Sequence, residues 1–192
     1  MMYETILGNV NDVIPLSKEE KYYLKSILKF KKLKKKEFLL QQGEVEENYY
    51  YVLSGCLRSF FIDNKGVEQV VQFSSSGWWL ADNESILLNQ PSKFNILAAL
   101  DSEILVLSKY DKEESVKKIP KLETYYHESL ERSVIFLRYR LYEILSLPAE
   151  EKYKNFCKSF PELINSIPQK HIASYIGVTP EFFSSMKRKI KE

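Results

Sequence analysis

Hydrophobic positions along the chain change their period twice. Tyr23, Leu24, Ile27, Leu28 and Phe30 form an apolar stripe at helical spacing. Ahead of it, Leu16-Ser17-Lys18-Glu19-Glu20 reads as a helix start, with Ser17 as N-cap and Glu19 and Glu20 at the positive end of the dipole. Residues 1 to about 30 are therefore expected to be helical. From Glu37 to Tyr110 the pattern is that of short strands. Tyr49 to Leu53, Ser59 to Ile62 and Val67 to Phe73 are rich in aromatic and β-branched residues, and Gly43, Gly55, Gly66 and Gly77 punctuate them. Strands with glycine-bearing turns about every 8–12 residues predict an antiparallel sandwich or barrel. Asp63-Asn64-Lys65-Gly66 has hairpin-loop chemistry, Gln90-Pro91-Ser92 marks a further turn, and Asn95 to Leu100 and Glu103 to Leu107 supply two more strands. This segment is expected to be a β-roll.

After Ile119-Pro120 the period lengthens again. Leu130, Val134, Leu137, Leu141 and Ile144 step by 4, 3, 4 and 3, the seam of a helix packing on another helix. Either this helix pairs with a second copy, or it lies along the roll as a core helix; the 3.5-residue repeat favours the dimer. Arg132, Arg138, Arg140 and Glu143 are expected on its solvated face. Beyond Leu147, Pro148, Pro161 and Pro168 divide the chain into short helices. The expected organisation is α+β: a sensor-like roll over 1–118, a long helix over 119–146 and an all-α end domain over 147–192.

The most specific pattern runs from Gln169 to Arg188. A helix-turn-helix needs a small residue where its helices touch, four residues before a turn position that tolerates positive φ. Ala173 and Gly177 meet that demand. Ile172, Ile176, Val178, Phe183 and Met186 occupy the apolar offsets, and Thr179 followed by Pro180 gives an N-cap and a first helical position. A helical hairpin without DNA contact would use the same packing, but these largely independent constraints together favour a DNA reader. Its second helix would enter the major groove, which makes Glu181, Ser184 and Ser185 the candidate base readers, Glu181 facing a cytosine amino group. Gln169, Lys170 and Thr179 sit near helix starts, where phosphates are met, and Lys187, Arg188, Lys189 and Lys191 make the last turn basic. Phe182 is expected to be buried against the preceding helix rather than to touch a thymine methyl.

Charge sharpens this picture. The 192 residues carry a net charge of only +2, but the stretch from Ser146 to Glu192 holds eight Lys or Arg against five Glu, so the basic excess is concentrated at that end. A second basic run, Lys29, Lys31, Lys32, Lys34, Lys35 and Lys36, is either a phosphate-binding patch or a solvated face, and the latter is favoured. No apolar run approaches the roughly 20 residues of a membrane span, and MMYETILGNVND, with Glu4 and no apolar core, is not expected to be a secretory signal. A cytoplasmic location is expected. Cys56 and Cys157 are too few for an iron–sulfur cluster and too far apart in sequence to suggest a disulfide framework. The two histidines, His127 and His171, lie outside the roll segment, so a barrel metalloenzyme lacks its ligands and no metal site is expected. Neither G-x-x-x-x-G-K-[ST] nor G-x-G-x-x-G occurs, and no enzymatic activity is expected.

A β-roll, a long seam-bearing helix and a terminal helix-turn-helix, in that order, resemble the Crp/Fnr family of bacterial transcription regulators. The likeness is strongest in Phe38-Leu39-Leu40-Gln41-Gln42-Gly43, in Tyr51-Val52-Leu53-Ser54-Gly55 and from Ile167 to Ile190. The resemblance implies a cyclic nucleotide-binding-like roll, a dimerisation helix and a winged-helix-like end domain. It also implies a homodimer reading a near-palindromic site in double-stranded DNA, with RNA polymerase and a small-molecule effector of unstated identity as further partners. Departures are equally informative. Cyclic AMP-binding members carry Gly-Glu and Arg-Ser/Thr pairs where this chain has Ala81-Asp82 and Ser92-Lys93. Without the arginine fork an anionic phosphate loses its bidentate partner, so neither cyclic AMP nor any other cofactor is expected. Trp78, Trp79, Asp82, Ser92 and Lys93 mark an effector pocket or a collapsed, side-chain-filled volume. The family's Arg-Glu…Arg reading pattern is Pro180-Glu181…Ser185 here, and the chain stops at Glu192 directly after the reading helix, so no wing is expected. The rival reading is a degenerate sensor or dimeric interaction protein without sequence-specific DNA binding.

Overall fold

The computed structural model describes residues 3–191, with side chains as far as Lys189; Lys191 of the basic end run lies outside the described side chains. Two helices open the chain, α1 (Glu4–Asn11) and α2 (Lys18–Ile27). Ser17 closes a capping box on α2: its hydroxyl accepts from the Glu20 amide at 3.2 Å, while the Glu20 carboxylate accepts from the Ser17 amide at 2.6 Å. The helix stops at Ile27 rather than near residue 30. The lysine run that follows opens as β1 (Lys29–Leu33), which pairs antiparallel with the strand at Ser102–Ser108 along one side only. Lys29, Lys31 and Lys32 face water and Leu33 is buried, with Lys32 paired to Glu103 at 2.9 Å. Charged side chains on a sheet edge also discourage edge-to-edge pairing.

The roll contains β2 (Phe38–Leu40), β3 (Asn48–Ser54), β4 (Leu57–Ile62), β5 (Glu68–Ser74), β6 (Trp79–Leu80), β7 (Asn95–Ala98) and β8 (Ser102–Ser108). They form two four-stranded sheets in the orders β1-β8-β3-β6 and β2-β7-β4-β5. Leu33, Leu40, Val52, Leu57, Ile96 and Ile104 belong to one buried cluster to which both sheets contribute. The β3–β4 turn requires glycine at position 55. Its φ is +80°, and a Cβ there would lie 2.3 Å from the Asp101 carbonyl oxygen. A short helix that the hydrophobic pattern did not announce, α3 (Asn83–Leu88), stands between β6 and β7.

Helices α4 (Lys109–Lys118) and α5 (Leu122–Ser146) follow, then α6 (Ala149–Ser159), a 3-10 turn (Pro161–Leu163), α7 (Gln169–Ile176) and α8 (Pro180–Lys191). Among the described residues no helix is long and apolar enough to cross a membrane. The end domain packs onto β4 and β5. Val70 and Phe73 share a buried cluster with Phe156, Phe160, Leu163 and Tyr175, and the Phe73 ring meets the Tyr175 ring with centroids 5.2 Å apart. Polar contacts fix the position of α7: Ser174 accepts from the Val70 amide at 2.8 Å and donates to the Glu68 carbonyl at 3.2 Å.

Arg140 corrects the expectation of a solvated face. Its guanidinium turns inward, donates to the carbonyls of Val70, Val71 and Tyr175, and stacks 4.3 Å over the Tyr175 ring. One side chain thus ties α5 to both β5 and α7. Charge-assisted bonds to backbone carbonyls are among the stronger polar contacts in a fold. Arg140→Met should lower unfolding stability by about 2–4 kcal/mol in urea titration, and α7 amides should lose hydrogen-exchange protection before those of β3 and β8. Unchanged stability together with unchanged α7 exchange would show that Arg140 does not hold these elements together.

Candidate nucleic-acid interface

Helix α7 ends because Gly177 takes the left-handed conformation, φ +74° and ψ +41°, from which its amide reaches back to the Ala173 and Ser174 carbonyls. The Val178 amide donates to the Ala173 carbonyl at 3.0 Å and completes the turn. Thr179 then caps α8, its hydroxyl accepting from the Phe182 amide at 3.2 Å, with Pro180 as the first helical residue. Ile172, Ala173, Ile176, Phe183 and Met186 are all buried, and the Phe183 ring meets the Tyr153 ring of α6 edge-on at 5.1 Å. The second helix is therefore held by one apolar edge.

Its other face is open. Glu181, Ser184, Ser185, Arg188 and Lys189 are exposed on α8, and Gln169 and Lys170 are exposed on the first turn of α7. Lys187 departs from this row: it is half-buried, with its ammonium 6.0 Å from the Tyr153 ring centroid. Phe182 overturns the expectation of burial, being 54% exposed. Phe183 and Met186, three residues apart, take the inner edge, and the roughly 100° turn per residue carries Phe182 round beside Ser185 and Lys189. The open face therefore presents an acid, an aromatic ring, two hydroxyls and two cations.

The five expected effector-pocket residues do not converge. Asp82 caps α3, accepting from the Glu84 and Ser85 amides, and its second oxygen accepts from the Ser92 hydroxyl at 2.6 Å; both side chains are buried. Lys93 points outward to Glu84 at 3.2 Å. Trp78 packs on Phe136 of α5 with ring centroids 5.3 Å apart. Trp79 lies edge-on to Tyr51 and donates its indole N–H to the Tyr125 hydroxyl at 2.9 Å. The Asp82 and Ser92 side chains thus satisfy each other, while the two tryptophans contact α5 through Phe136 and Tyr125.

Residues 30–117 match the family described as "Cyclic nucleotide-binding domain". No curated protein sequence matches the chain. Among solved structures, the chain is similar to a putative Crp/Fnr transcriptional regulator from Eubacterium rectale, at 16% identity and a TM-score of 0.71 over 92% of this chain and 84% of that one. It is also similar to the c-di-GMP-responsive global regulator CLP of Xanthomonas campestris, at 11% identity and 0.72 over 91% and 92%. A third likeness is to the catabolite activator protein of Thermus thermophilus, at 19% identity and 0.57 over 95% and 86%. The fold is that of the Crp/Fnr regulators.

Within this Crp/Fnr fold, the residues of the expected α5 seam are mostly exposed. Leu130, Val134, Leu137 and Leu141 are exposed, with Ile135, Tyr142 and Leu145 exposed beside them, while Ile144 is half-buried near the Gly177 turn. The residues that hold α7 on the roll gave no sequence signal. Arg58 is buried on β4, pairs with Glu68 at 2.7 Å and donates to Nδ1 of His171 at 2.6 Å. Burial, followed by the Arg58 charge, pulls the His171 pKa down to about 4, so the ring is neutral at pH 7 and accepts the guanidinium proton at Nδ1.

The folded value lies below the roughly 6.5 of an unfolded histidine. Between those values the unfolded chain binds the extra proton. The contribution of His171 is therefore complete above pH 6.5 and is lost as pH falls toward 4. Thermal unfolding scans over that window should show the loss in the native chain and a flatter profile in His171→Gln. An NMR titration placing the His171 midpoint near 6.5 would contradict the neutral, Arg58-bonded ring.

Proposed function

We propose that the chain is a transcription regulator of the Crp/Fnr type that binds double-stranded DNA as a homodimer. The observation that carries this reading is α8: Phe183 and Met186 anchor it while Glu181, Phe182, Ser184, Ser185, Arg188 and Lys189 stand clear on one face. A helix held in this way can enter a major groove without repacking its own domain. Glu181 suits a cytosine amino group, Phe182 suits a thymine methyl, and the two serines bond to either donors or acceptors. Gln169, Lys170, Thr179 and the basic end of α8 from Lys187 to Lys189 are assigned to the phosphates, where position rather than sequence is read.

The exposed α5 stripe supports pairing with a second copy. Its 25 residues span about 37 Å, and they expose leucine and valine at the 4-3-4 steps of a coiled seam. A symmetric pair would present two α8 helices to half-sites one helical turn apart. The mutual satisfaction of Asp82 and Ser92 leaves cyclic AMP out of this reading.

Selection from a random-sequence duplex pool should enrich a two-fold symmetric site with half-site centres roughly 10 bp apart, bound with a steep inverse dependence on salt. Glu181→Ala and Phe182→Ala should each relax preference at one base position, while Arg188→Ala should weaken all sites similarly and reduce the salt slope by about one. Failure to enrich any site, or enriched sites unaltered by both Glu181→Ala and Phe182→Ala, would overturn the assignment of α8. In sedimentation the native chain should be a dimer and Leu137→Arg a monomer, since one buried charge per helix disfavours the seam. A Leu137→Arg chain that remains dimeric would exclude α5 as the interface.

A further inference from the structure

A cleft of about 730 Å³ opens between α3, α4 and α5 against β3 and β6; Ala81 and Asn83, on either side of Asp82, line it, while the Asp82 and Ser92 side chains do not. That volume falls in the range of small-ligand sites, about 300–1,000 Å³. Its walls are mostly apolar, with Trp79, Leu80, Ile86, Leu107, Val116 and Tyr126 contributing. The two serines of the α5 wall offer no spare donor, because Ser129 donates to the Tyr125 carbonyl at 2.8 Å and Ser133 to the Ser129 carbonyl at 3.1 Å. Tyr126 and Ser115 bond to each other through their hydroxyls at 3.1 Å.

The cations of the wall differ in one respect. Lys109 donates to the Ile86 carbonyl at 2.9 Å, and Lys117 pairs with Glu114 at 2.6 Å. The Lys112 ammonium, by contrast, meets ring faces and forms no hydrogen bond or ion pair with any described residue. Its ammonium lies 4.2 Å from the Tyr49 ring centroid and 5.1 Å from that of Tyr126, and burial holds its pKa below the ordinary lysine value. Two tyrosine faces compensate only part of the lost hydration of an ammonium. The wall carboxylates, Glu113 and Glu123, are exposed and form no ion pair with Lys112, although the Glu113 charge offsets part of the effect of burial on it. The cleft thus offers apolar surface together with one half-desolvated, anion-seeking charge.

We propose that this cleft binds an elongated apolar monocarboxylate, its tail along the α3 and α5 walls and its carboxylate paired with Lys112. This assignment is independent of DNA reading, since it concerns the roll and the first half of α5 alone. Decanoate titrated into the full-length chain, followed by tryptophan fluorescence and calorimetry, should bind saturably and raise the melting temperature. It should bind at least roughly tenfold tighter than decan-1-ol or decylammonium, because only the carboxylate makes a charge-assisted bond. Lys112→Met, which keeps the bulk of the side chain, should erase the advantage over the alcohol, whereas Lys112→Arg should retain it. The proposal is overturned by an absence of saturable decanoate binding, by equal affinity for acid and alcohol, or by an unchanged Lys112→Met. Binding to monomeric Leu137→Arg but not to the native chain would assign the cleft to coverage by a second copy and would equally overturn it.

Discussion

A sheet with apolar residues on both faces must be covered twice. The β2-β7-β4-β5 sheet buries Leu57, Ile96 and Ala98 in the roll cluster, but Val70 and Phe73 of β5 belong to a different cluster, with the aromatic rings of α6 and α7. Leaving those side chains in water would forfeit about 1.5–3 kcal/mol each. The outward apolar face of β5 is therefore the constraint that places the end domain, and Phe156, Phe160 and Tyr175 are what satisfies it. The polar contacts at its border, from Arg140, Ser174 and the Arg58–Glu68–His171 cluster, set the angle of that placement and add to its strength.

This constraint divides labour between the two helices of the end domain. Helix α7 turns Ser174, Tyr175 and His171 toward β4 and β5, while its Ile172, Ala173 and Ile176 are buried in the same cluster as Phe183 and Met186 of α8. Helix α8 makes no comparable demand on the roll. Its polar face is free because α7 has already anchored the domain. A helix-turn-helix lying loosely on its partner domain would need no buried histidine in a particular protonation state. The Arg58 guanidinium, held between Glu68 at 2.7 Å and His171 at 2.6 Å, is a sign that the docking geometry is specific.

What was legible in the sequence was local chemistry. Ser17 with Glu20, Gly177 at the α7 terminus and Thr179-Pro180 before α8 each act within four residues, and each is in place. What was not legible depends on partners far along the chain. Lys29–Leu33 has a composition poor for a strand, yet β8, some seventy residues away, supplies the ladder. Arg140 occupies a position that helical periodicity gives to solvent, but its acceptors are backbone carbonyls of β5, and a carbonyl leaves no mark in an amino-acid sequence. Asp82 and Ser92 belong to the expected effector-pocket set, but the six-residue α3, too short to show a period, uses Asp82 as its cap. Trp78 and Trp79, read with them, turn to α5 because that helix covers the sheet beside them.

Helix α5 joins these separate demands. Phe136 and Arg140 face the roll and α7, Leu137 and Leu141 lie exposed, and Tyr126 and Leu130 line the cleft against α3 and α4. A single uninterrupted helix moves nearly as a rigid body over this length, so a displacement favoured on one face is imposed on the other two. Packed interfaces of this kind hold a small number of discrete arrangements rather than deforming smoothly. Any group bound on one face of α5 can bias the others only through a difference in its contacts between two such arrangements. Leu130, on the cleft wall and first in the exposed stripe, is the residue where two of those faces meet. On the proposed pairing of α5, cleft and stripe share residues only in the first half of the helix, upstream of the Arg140 contacts that hold α7.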